Sequence, residues 1–317
     1  MAATISSLGL ATIAPLIEQQ FNSVVFRNEG KEFFGLFPNI GLRGGNTYDF
    51  PIKVTGNGSA ATFTEGTALP VAGQGTTVLA QSAYTHYRSV ANVTGHAMDA
   101  ARGLPLANAA IADELTDARL AVQDLLTNTL YADAATGLLG LVDDSTTNLH
   151  GLSRATYTAL TSHVEAGGSA ALSLAMMQNT WEAVRDNDRA GKPSIILMAV
   201  SMVTNYLNIA PQQASGGTTP INVNQWQLDG GRAYDLGADW NNVRFNGIPI
   251  VGLPDFVDTE VVFLDLAPGN WEYVEHRPFT IEQYAKVDDS ETYVVSYSST
   301  LALRKPRQQG KIEAVTA

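Results

Sequence analysis

Two stretches with strand-like alternation, Thr47–Val54 (TYDFPIKV) and Thr77–Val93 (TVLAQSAYTHYRSVANV), are joined by VTGNGSAATFTEGTALPVAGQGTTV, Val54–Val78. The joining stretch is rich in Gly, Thr, Ala and Ser, and Glu65 is its single charged residue. Connections beyond about 12–15 residues without secondary structure are uncommon in compact domains and are usually functional or disordered. Three readings are open: a nucleotide-binding turn, a disordered tail, or an arm that becomes ordered only against a neighbouring molecule.

The first reading has a local motif in its favour. Gly56, Gly58 and Ala61 match G-x-G-x-x-A directly after a strand. In a dinucleotide site such glycines let the backbone approach pyrophosphate, and a helix N-terminus binds it. The motif requires a helix to follow. Here the chain continues ATFTEGTALPVAGQG, broken by Gly and Pro, and the motif is read as a decoy.

Other chemistry is equally thin. No G-K-[ST] and no G-x-S-x-G occurs, which leaves a Walker loop and a hydrolase elbow without support. The chain has no cysteine, so disulfides, thiolate catalysis and Cys-ligated zinc are excluded together, which fits an intracellular life. His86, His96, His150, His163 and His276 show no H-E-x-x-H and no paired spacing, and are read as satisfied surface or core residues. Asp113 with Asp117, and Asp143 beside Asp144, are read as solvated carboxylates, since no calcium-loop pattern surrounds them. The expectation is no catalytic residue, no metal and no cofactor, with an α/β enzyme of unrecognised site as a distant alternative.

The charge balance points the same way. Net charge is −12 with a pI near 4.8, whereas tight nucleic-acid binders normally carry a basic patch. The nearest candidate, Arg304, Lys305, Arg307 and Lys311, is read as a solvated or interface strand end. Charged residues make up 16% of the chain against 45% hydrophobic, and about 25% charged is usual for a soluble domain. So few charges suggest that much of the surface meets other protein; a well-packed enzyme with a Ser/Thr/Asn surface is the bland alternative. Met1–Leu10 has no signal-peptide character, and no apolar run approaches the 18 or so residues of a membrane span.

Along the chain, residues 1–45 hold a short amphipathic segment, Pro15–Phe26, and then Phe33, Phe34, Leu36 and Phe37 in a Gly/Pro-punctuated stretch too small to form its own core. Leu104–Ala135 changes to helical period, with Ile111, Leu115, Ala118, Val122, Leu125 and Leu126 in step. It predicts a helix of about 25–30 residues, roughly 40 Å long, with Pro105 at its start and Gly137 and Gly140 beyond its end. Residues 141–270 read as a compact α/β unit: a helix in Ser169–Ala190, a buried strand at Ser194–Val200, a short helix at Ser201–Ile209, a polar loop at Ala210–Asp239, and strands at Val243–Val251 and Val261–Leu266. Trp271–Ala317 reads as β structure with a short helix, including the strand Thr292–Leu303.

This order of parts resembles the major capsid protein of tailed bacteriophages, with the Hong Kong 97-type fold shared with encapsulins. ATFTEGTALP (Ala61–Pro70) is similar to the extended-loop stretch of that family, and Thr77–Val93 to its returning strand. Pro105–Gly137 resembles the spine helix, and KPSIILMAVSMVTNYL (Lys192–Leu207) the strand and short helix of the axial domain. NGIPIVGLPDF (Asn246–Phe256) is similar to the G-x-P-V segment, with Ile250 in place of Val, and STLALRKPRQQGKIEAV (Ser299–Val315) to the closing strand.

The resemblance implies an α+β chain divided as an N-terminal arm (1–45), an extended β-hairpin loop with flanking strands (46–95), a peripheral domain with spine helix (96–150), an axial domain (151–270) and peripheral return strands (271–317). It implies a structural protein and not an enzyme, forming pentamers and hexamers of an icosahedral shell around double-stranded DNA, assembled in the host bacterial cytoplasm and resident in the virion. It implies that Phe63, Glu65, Leu69, Pro70 and Val71 in the loop, and Phe33, Phe34 and Phe37 in the arm, contact neighbouring subunits. Expected partners are further copies of the chain, a separate scaffolding protein, a portal and a cement protein, with no sequence-specific DNA contact and no membrane. Cross-linking between a loop lysine and a neighbour's asparagine, known in some members, is not carried over: Lys53 is the single loop lysine and sits at its base. An encapsulin-type compartment with protein cargo is the alternative, and a tail or decoration protein a more distant one.

Overall fold

The computed structural model describes residues 37–60, 62, 65, 73–95, 106–145, 148–186, 190–214, 243–254, 256–284 and 289–316. Two large sheets and a separate hairpin organise them. The first sheet has four strands in the order β1-β10-β11-β4. They are β1 (Asn39–Leu42), β4 (Thr85–Thr94), β10 (Trp271–Gln283) and β11 (Ser290–Leu303). β10 and β11 form a long antiparallel ribbon, β4 adds antiparallel to β11, and β1 adds parallel to β10.

The long helix α1 (Leu106–Tyr131) lies on this sheet. Its 26 residues span about 39 Å at 1.5 Å each. Leu115, Ala118, Val122, Leu126 and Leu130 recur at three- and four-residue spacing and are buried, as an amphipathic stripe requires. Tyr87, Ala91 and Val93 of β4 alternate towards the interior, and Arg88, Val90 and Asn92 face out. After α1 the chain reverses sharply into α2 (Leu138–Leu141). A Cβ on Gly137 would lie 2.1 Å from the Ala132 carbonyl oxygen, so only glycine fits this reversal.

The second sheet has six strands in the order β5-β12-β9-β6-β8-β7. They are β5 (His163–Ala166), β6 (Ile195–Ala199), β7 (Arg244–Phe245), β8 (Ile248–Leu253), β9 (Val261–Leu264) and β12 (Gly310–Glu313). Every residue of β6 and β9 is buried, which is why both read as continuous apolar runs. α3 (Leu174–Arg185) starts where the Met176 N–H donates to the Ser173 hydroxyl oxygen (3.2 Å), a standard N-cap. α4 (Val200–Ala214) follows β6 without a break, and its Tyr206 hydroxyl donates to the Arg244 carbonyl at 2.9 Å.

The third unit is an antiparallel pair with no third strand among the described residues, β2 (Thr47–Lys53) and β3 (Thr77–Ala83), in register from Thr47 opposite Ala83 to Lys53 opposite Thr77. Pro51, expected on an edge strand, lies on one.

Several elements differ from their sequence reading. Thr77–Val93 is two strands: the chain leaves the hairpin at Tyr84 and enters the four-stranded sheet. Both halves alternate, so composition alone carries no sign of the change of partner. Val243–Val251 is also two strands, turned at Asn246-Gly247 with φ of 49° and 82°, the left-handed pair of a type I′ turn. Ala210–Ala214 continues α4 in place of opening a loop. The final strand β12 lies in the six-stranded sheet, beside β5 and β9, and not with β10 and β11. The Pro15–Phe26 reading and most of the Ala210–Asp239 loop fall outside the described residues.

His150 is the buried joint among these parts. Its backbone φ is 47°, its carbonyl accepts from the Gln81 N–H of β3 (2.9 Å), and its Nε2 accepts from the Leu303 N–H of β11 (3.0 Å). An acceptor Nε2 means a neutral ring, and burial, with Arg154 nearby, pushes the imidazole down to about 3 from 6.5. The unfolded chain therefore takes up a proton that the folded chain refuses. Stability from this group is intact above pH 6.5 and falls as pH drops from 6.5 towards 3, by about 1.4 kcal/mol per unit. His150→Asn, chosen because Asn tolerates this φ, is expected to lower the unfolding temperature at pH 8 and to lose less than wild type between pH 6.5 and 4 in thermal unfolding. Gly137→Ala should cost about 1–3 kcal/mol through overpacking, read as a drop of several degrees in the same measurement.

Candidate assembly surface

The root of the β2–β3 hairpin is tied to its own subunit. Phe50 packs its ring against His150 (centroids 5.3 Å apart), and the Arg304 guanidinium lies 5.1 Å above it on another side. Arg304 in turn meets Glu272 of β10 through two contacts, Nε to Oε1 and Nη2 to Oε2, each 2.8 Å. The Tyr48 hydroxyl donates to the same Glu272 Oε2 at 2.8 Å. Burial and the Glu272 hydrogen bond raise the Tyr48 phenol above its ordinary range, so it stays a donor. Phe50, Ile52, Ala80 and Ser82 form the inward face, and Ser82 shares a 2.8 Å hydrogen bond with Thr300.

The hairpin's outward face carries Asp49, Lys53, Thr77 and Gln81 around a small apolar spot. Leu79 is 56% exposed and stands directly opposite Pro51, also exposed. Beyond β2 and β3 the two limbs stay together: the Val54 N–H donates to the Thr76 carbonyl (2.9 Å), and the Thr76 N–H to the Thr55 hydroxyl oxygen (2.8 Å). A Cβ on Gly73 would meet Asn57 Oδ1 at 2.7 Å and Ser59 at 3.3 Å, so the close approach reaches at least that far. Glu65, the loop's one charge, is exposed. Further exposed apolar side chains are Leu42, Val90, Leu125, Val257 and Tyr284. Apart from Leu125, which belongs to the helical pattern, sequence reasoning singled out none of these, because exposure of one face of a strand leaves no local mark.

Of the other sequence-named contact residues, Phe33, Phe34, Phe63, Leu69, Pro70 and Val71 lie outside the described residues. Phe37 is 2% exposed and packs on Trp271 of its own chain, with ring centroids 5.2 Å apart. It is an anchor of the arm's end into its own sheet and has almost no surface left for a neighbour. The signal was correct in kind, an apolar anchor, and its partner is internal.

The charged candidates also settle. Arg304 is paired with Glu272 and Lys311 is 1% exposed within the six-stranded sheet, whereas Lys305 is exposed and Arg307 half-buried, so the basic cluster near the C-terminus does not form one continuous patch. Asp143 was expected in solvent and is instead buried, 3.5 Å from Lys311 and 3.7 Å from Arg154. Asp117 is exposed, as a solvated face requires, and the Asp113 side chain lies outside the described residues, as does His96. His86 shares a 2.6 Å hydrogen bond with Ser298, and His276 a 2.9 Å hydrogen bond with the Arg43 carbonyl. Their rings are 6.0 Å apart, a proximity the sequence spacing hides. Gly56 and Gly58 lie in the hairpin limb with no helix following through residue 60, so the phosphate cradle lacks its helix N-terminus, and Ala61 is outside the described residues. Among the described residues, no group of three or more His, Asp or Glu is placed to hold a metal ion. Among them, too, no helix is long and apolar enough to cross a membrane.

Known proteins share this architecture. A comparison with curated proteins finds no match. Among solved structures, a chain described as the cyanophage A-1(L) capsid asymmetric unit has a TM-score of 0.70 at 16% identity, covering 90% of this chain and 92% of that one. A chain of the capsid of a native GTA particle has a TM-score of 0.61 at 12% identity, covering 92% and 91%. The SrpI encapsulin of Synechococcus elongatus has a TM-score of 0.56 at 11% identity, covering 90% and 87%. At these identities the likeness is one of fold: a hairpin beside two sheets, with a long helix on the first, is the Hong Kong 97-type capsid architecture. The model of the SU10 major capsid protein family matches residues 58–316, and with most of its length so matched the chain belongs to that family of phage major capsid proteins.

Proposed function

We propose that copies of this chain assemble into pentamers and hexamers that close an icosahedral shell around double-stranded DNA. The observation that carries the reading is the β2–β3 hairpin, a two-stranded ribbon with no third strand among the described residues and with Leu79 exposed beside Pro51 on its outward face. Isolated two-stranded ribbons are marginal in water, and an exposed large apolar side chain on such a ribbon is stabilised by being covered. Both costs vanish when the face is covered by an adjacent subunit. Head-to-tail contacts between unlike surfaces generate closed rings, so hairpin and acceptor can differ. In this reading the six-stranded sheet with α3 and α4 is the axial domain around the local five- and six-fold axes. The four-stranded sheet with α1 is the peripheral domain, and β12 joins the axial domain across the 271–317 return. Phe33, Phe34, Phe63, Glu65, Leu69, Pro70 and Val71 remain the proposed contacts to neighbouring copies.

The chain's role is structural, with no catalytic step assigned. Its net charge of −12 suits a container that encloses a genome without gripping it. Scaffolding, portal and cement functions would come from separate proteins, and assembly would take place in the host cytoplasm before the protein becomes part of the virion. The likeness to an encapsulin favours a second reading, a compartment for protein cargo. The contents of purified particles separate the two: nuclease-protected double-stranded DNA supports the first, and an enclosed protein without DNA supports the second.

Deleting Gly56–Gly75 is expected to give soluble, folded subunits or capsomers that form no stable shells by negative-stain electron microscopy; shells of normal size and stability would overturn the hairpin's role. Leu79→Asp should change subunit unfolding by no more than about 0.5 kcal/mol, as for other exposed sites. It should raise the protein concentration needed for assembly about tenfold or more, equivalent to about 1.4 kcal/mol per contact, measured by light scattering and sedimentation.

A further inference from the structure

Three stretches of chain cross between the two large sheets. The first, 132–162, leads from α1 to β5; the second, 265–270, from β9 to β10; the third, 304–309, from β11 to β12. The second and third are bound to each other by hydrogen bonds between neutral groups. The Asp265 N–H donates to Gln309 Oε1 (2.8 Å) and the Arg304 N–H to the Asn270 carbonyl (2.8 Å), while the Asn270 amide donates to the Asp265 carbonyl within the second crossing (3.2 Å). None of these changes with pH.

The first crossing is fastened by charge. Lys311 Nζ, on β12, is 3.5 Å from Asp143 Oδ1, 3.5 Å from Glu313 Oε2 and 3.9 Å from Glu260 Oε2. Arg154, itself within the crossing, donates to the Gly140 and Leu141 carbonyls at 2.9 Å each and lies 3.7 Å from Asp143 Oδ2. One ammonium therefore answers three carboxylates, and Asp133 adds to the negative potential around it. Burial opposes the Lys311 charge, yet these carboxylates together hold the ammonium above its ordinary range.

Glu260 is the carboxylate with the poorest place in this arrangement. Its Oε2 is buried with no hydrogen-bond partner among the described residues, and at 3.9 Å Lys311 is beyond donating distance. A buried carboxylate oxygen without a donor bears its full desolvation cost. Burial raises Glu260 to about 7, with Asp133, Glu313 and Asp143 reinforcing the shift and Lys311 opposing it. The groups facing it are thus Lys311 and Glu313 from β12, Asp143 beyond α2 and Asp133 beyond α1. On β5, next to β12, His163 lies 3.7 Å from Glu165.

We propose that Glu260 is a proton-operated latch at the first crossing. Protonated, it relieves the excess of carboxylates around Lys311 and leaves that ammonium to clamp Asp143 against the six-stranded sheet. Ionised, it competes with Asp143 for Lys311, and the crossing loosens. The sign follows from the raised value: the folded state holds a proton that the opened state releases, so closure is fully favoured below about 4.5 and is lost as pH rises through about 7. The latch is a property of the subunit and operates whether or not the shell reading holds.

The test is amide hydrogen exchange of the purified full-length protein at pH 6 and pH 8, corrected for the intrinsic rate. Wild-type peptides within 142–162 should lose about tenfold more protection between pH 6 and pH 8 than the same peptides of Glu260→Gln, the neutral isostere, with no change in peptides covering 265–270. His150 lies in this stretch and acts with the opposite sign, and the comparison with Glu260→Gln cancels it. Histidine also changes charge in this window, so His163→Gln separates its pair with Glu165 and should keep the wild-type response. A Glu260→Gln protein whose protection changes with pH as that of the wild type does overturns the latch. Where Glu260→Gln does not fold, His163→Gln decides: protection of 142–162 equal or greater at pH 8 overturns the proposal, and protection lower at pH 8 within 142–162 alone sustains it.

Discussion

The Arg304–Glu272 pair holds the root of the β2–β3 hairpin to its own subunit. Glu272 and Arg304 stand at the same end of the β10–β11 ribbon, where Trp271 pairs with Leu303. Their two 2.8 Å contacts form a fork that accepts the Tyr48 hydroxyl and lays the guanidinium over Phe50. The Nη2 contact is a hydrogen bond and the Nε approach a charge contact without hydrogen-bond geometry, and together they set two guanidinium nitrogens against one carboxylate, which a lysine ammonium does not do. The hairpin is thereby rooted on rigid sheet while its outward face is left uncovered. A thin arm is useful for building only if its base is oriented, and this is where orientation is imposed.

The two sheets are joined on a similar logic, with rigid and adjustable links side by side. Two crossings share neutral hydrogen bonds through Asp265, Asn270 and Gln309, while the first meets β12 through buried ions. Buried ion pairs are weak contributors to stability, since desolvation offsets most of the attraction. Their value lies in sensitivity, because removing or adding one proton changes the sum. His150 works on the hairpin side with the opposite sign: it is kept neutral where Phe50, β3 and β11 converge, so acid weakens that joint while the Glu260 contribution grows.

Much of this was legible in the sequence where periodicity is long and local. The spine helix, the buried run of β6, the turn of chain after α1 and the order of parts that marks the fold were all readable from spacing and composition. Partner changes were not. Nothing in SAYTHY marks Tyr84 as the point where one strand leaves the hairpin for another sheet, because alternation persists on both sides. Lys311 and Asp143 were read as solvated because isolated charges usually are. Their burial depends on residues from three separate stretches, Asp143 with Arg154, Glu260, and Lys311, which no window brings together. Asn246-Gly247 was readable in principle, since Asn-Gly between apolar runs is a strong hairpin signal; a continuous apolar pattern on either side masked it.

The loop's composition follows from these constraints. A ribbon that must lie on a surface built by another molecule gains from limbs that can approach closely, and Gly73 and Gly75 sit where a Cβ would strike Asn57 Oδ1 and the Thr55 carbonyl at 2.7 Å. It gains from few charges, because each charge buried on docking would need a partner supplied by the neighbour. Gly, Thr, Ala and Ser meet both conditions, at the cost of a segment that cannot stabilise itself. Under the proposed assembly, a second copy would complete the loop, and its low charge and its narrow rooted base would be two consequences of one requirement.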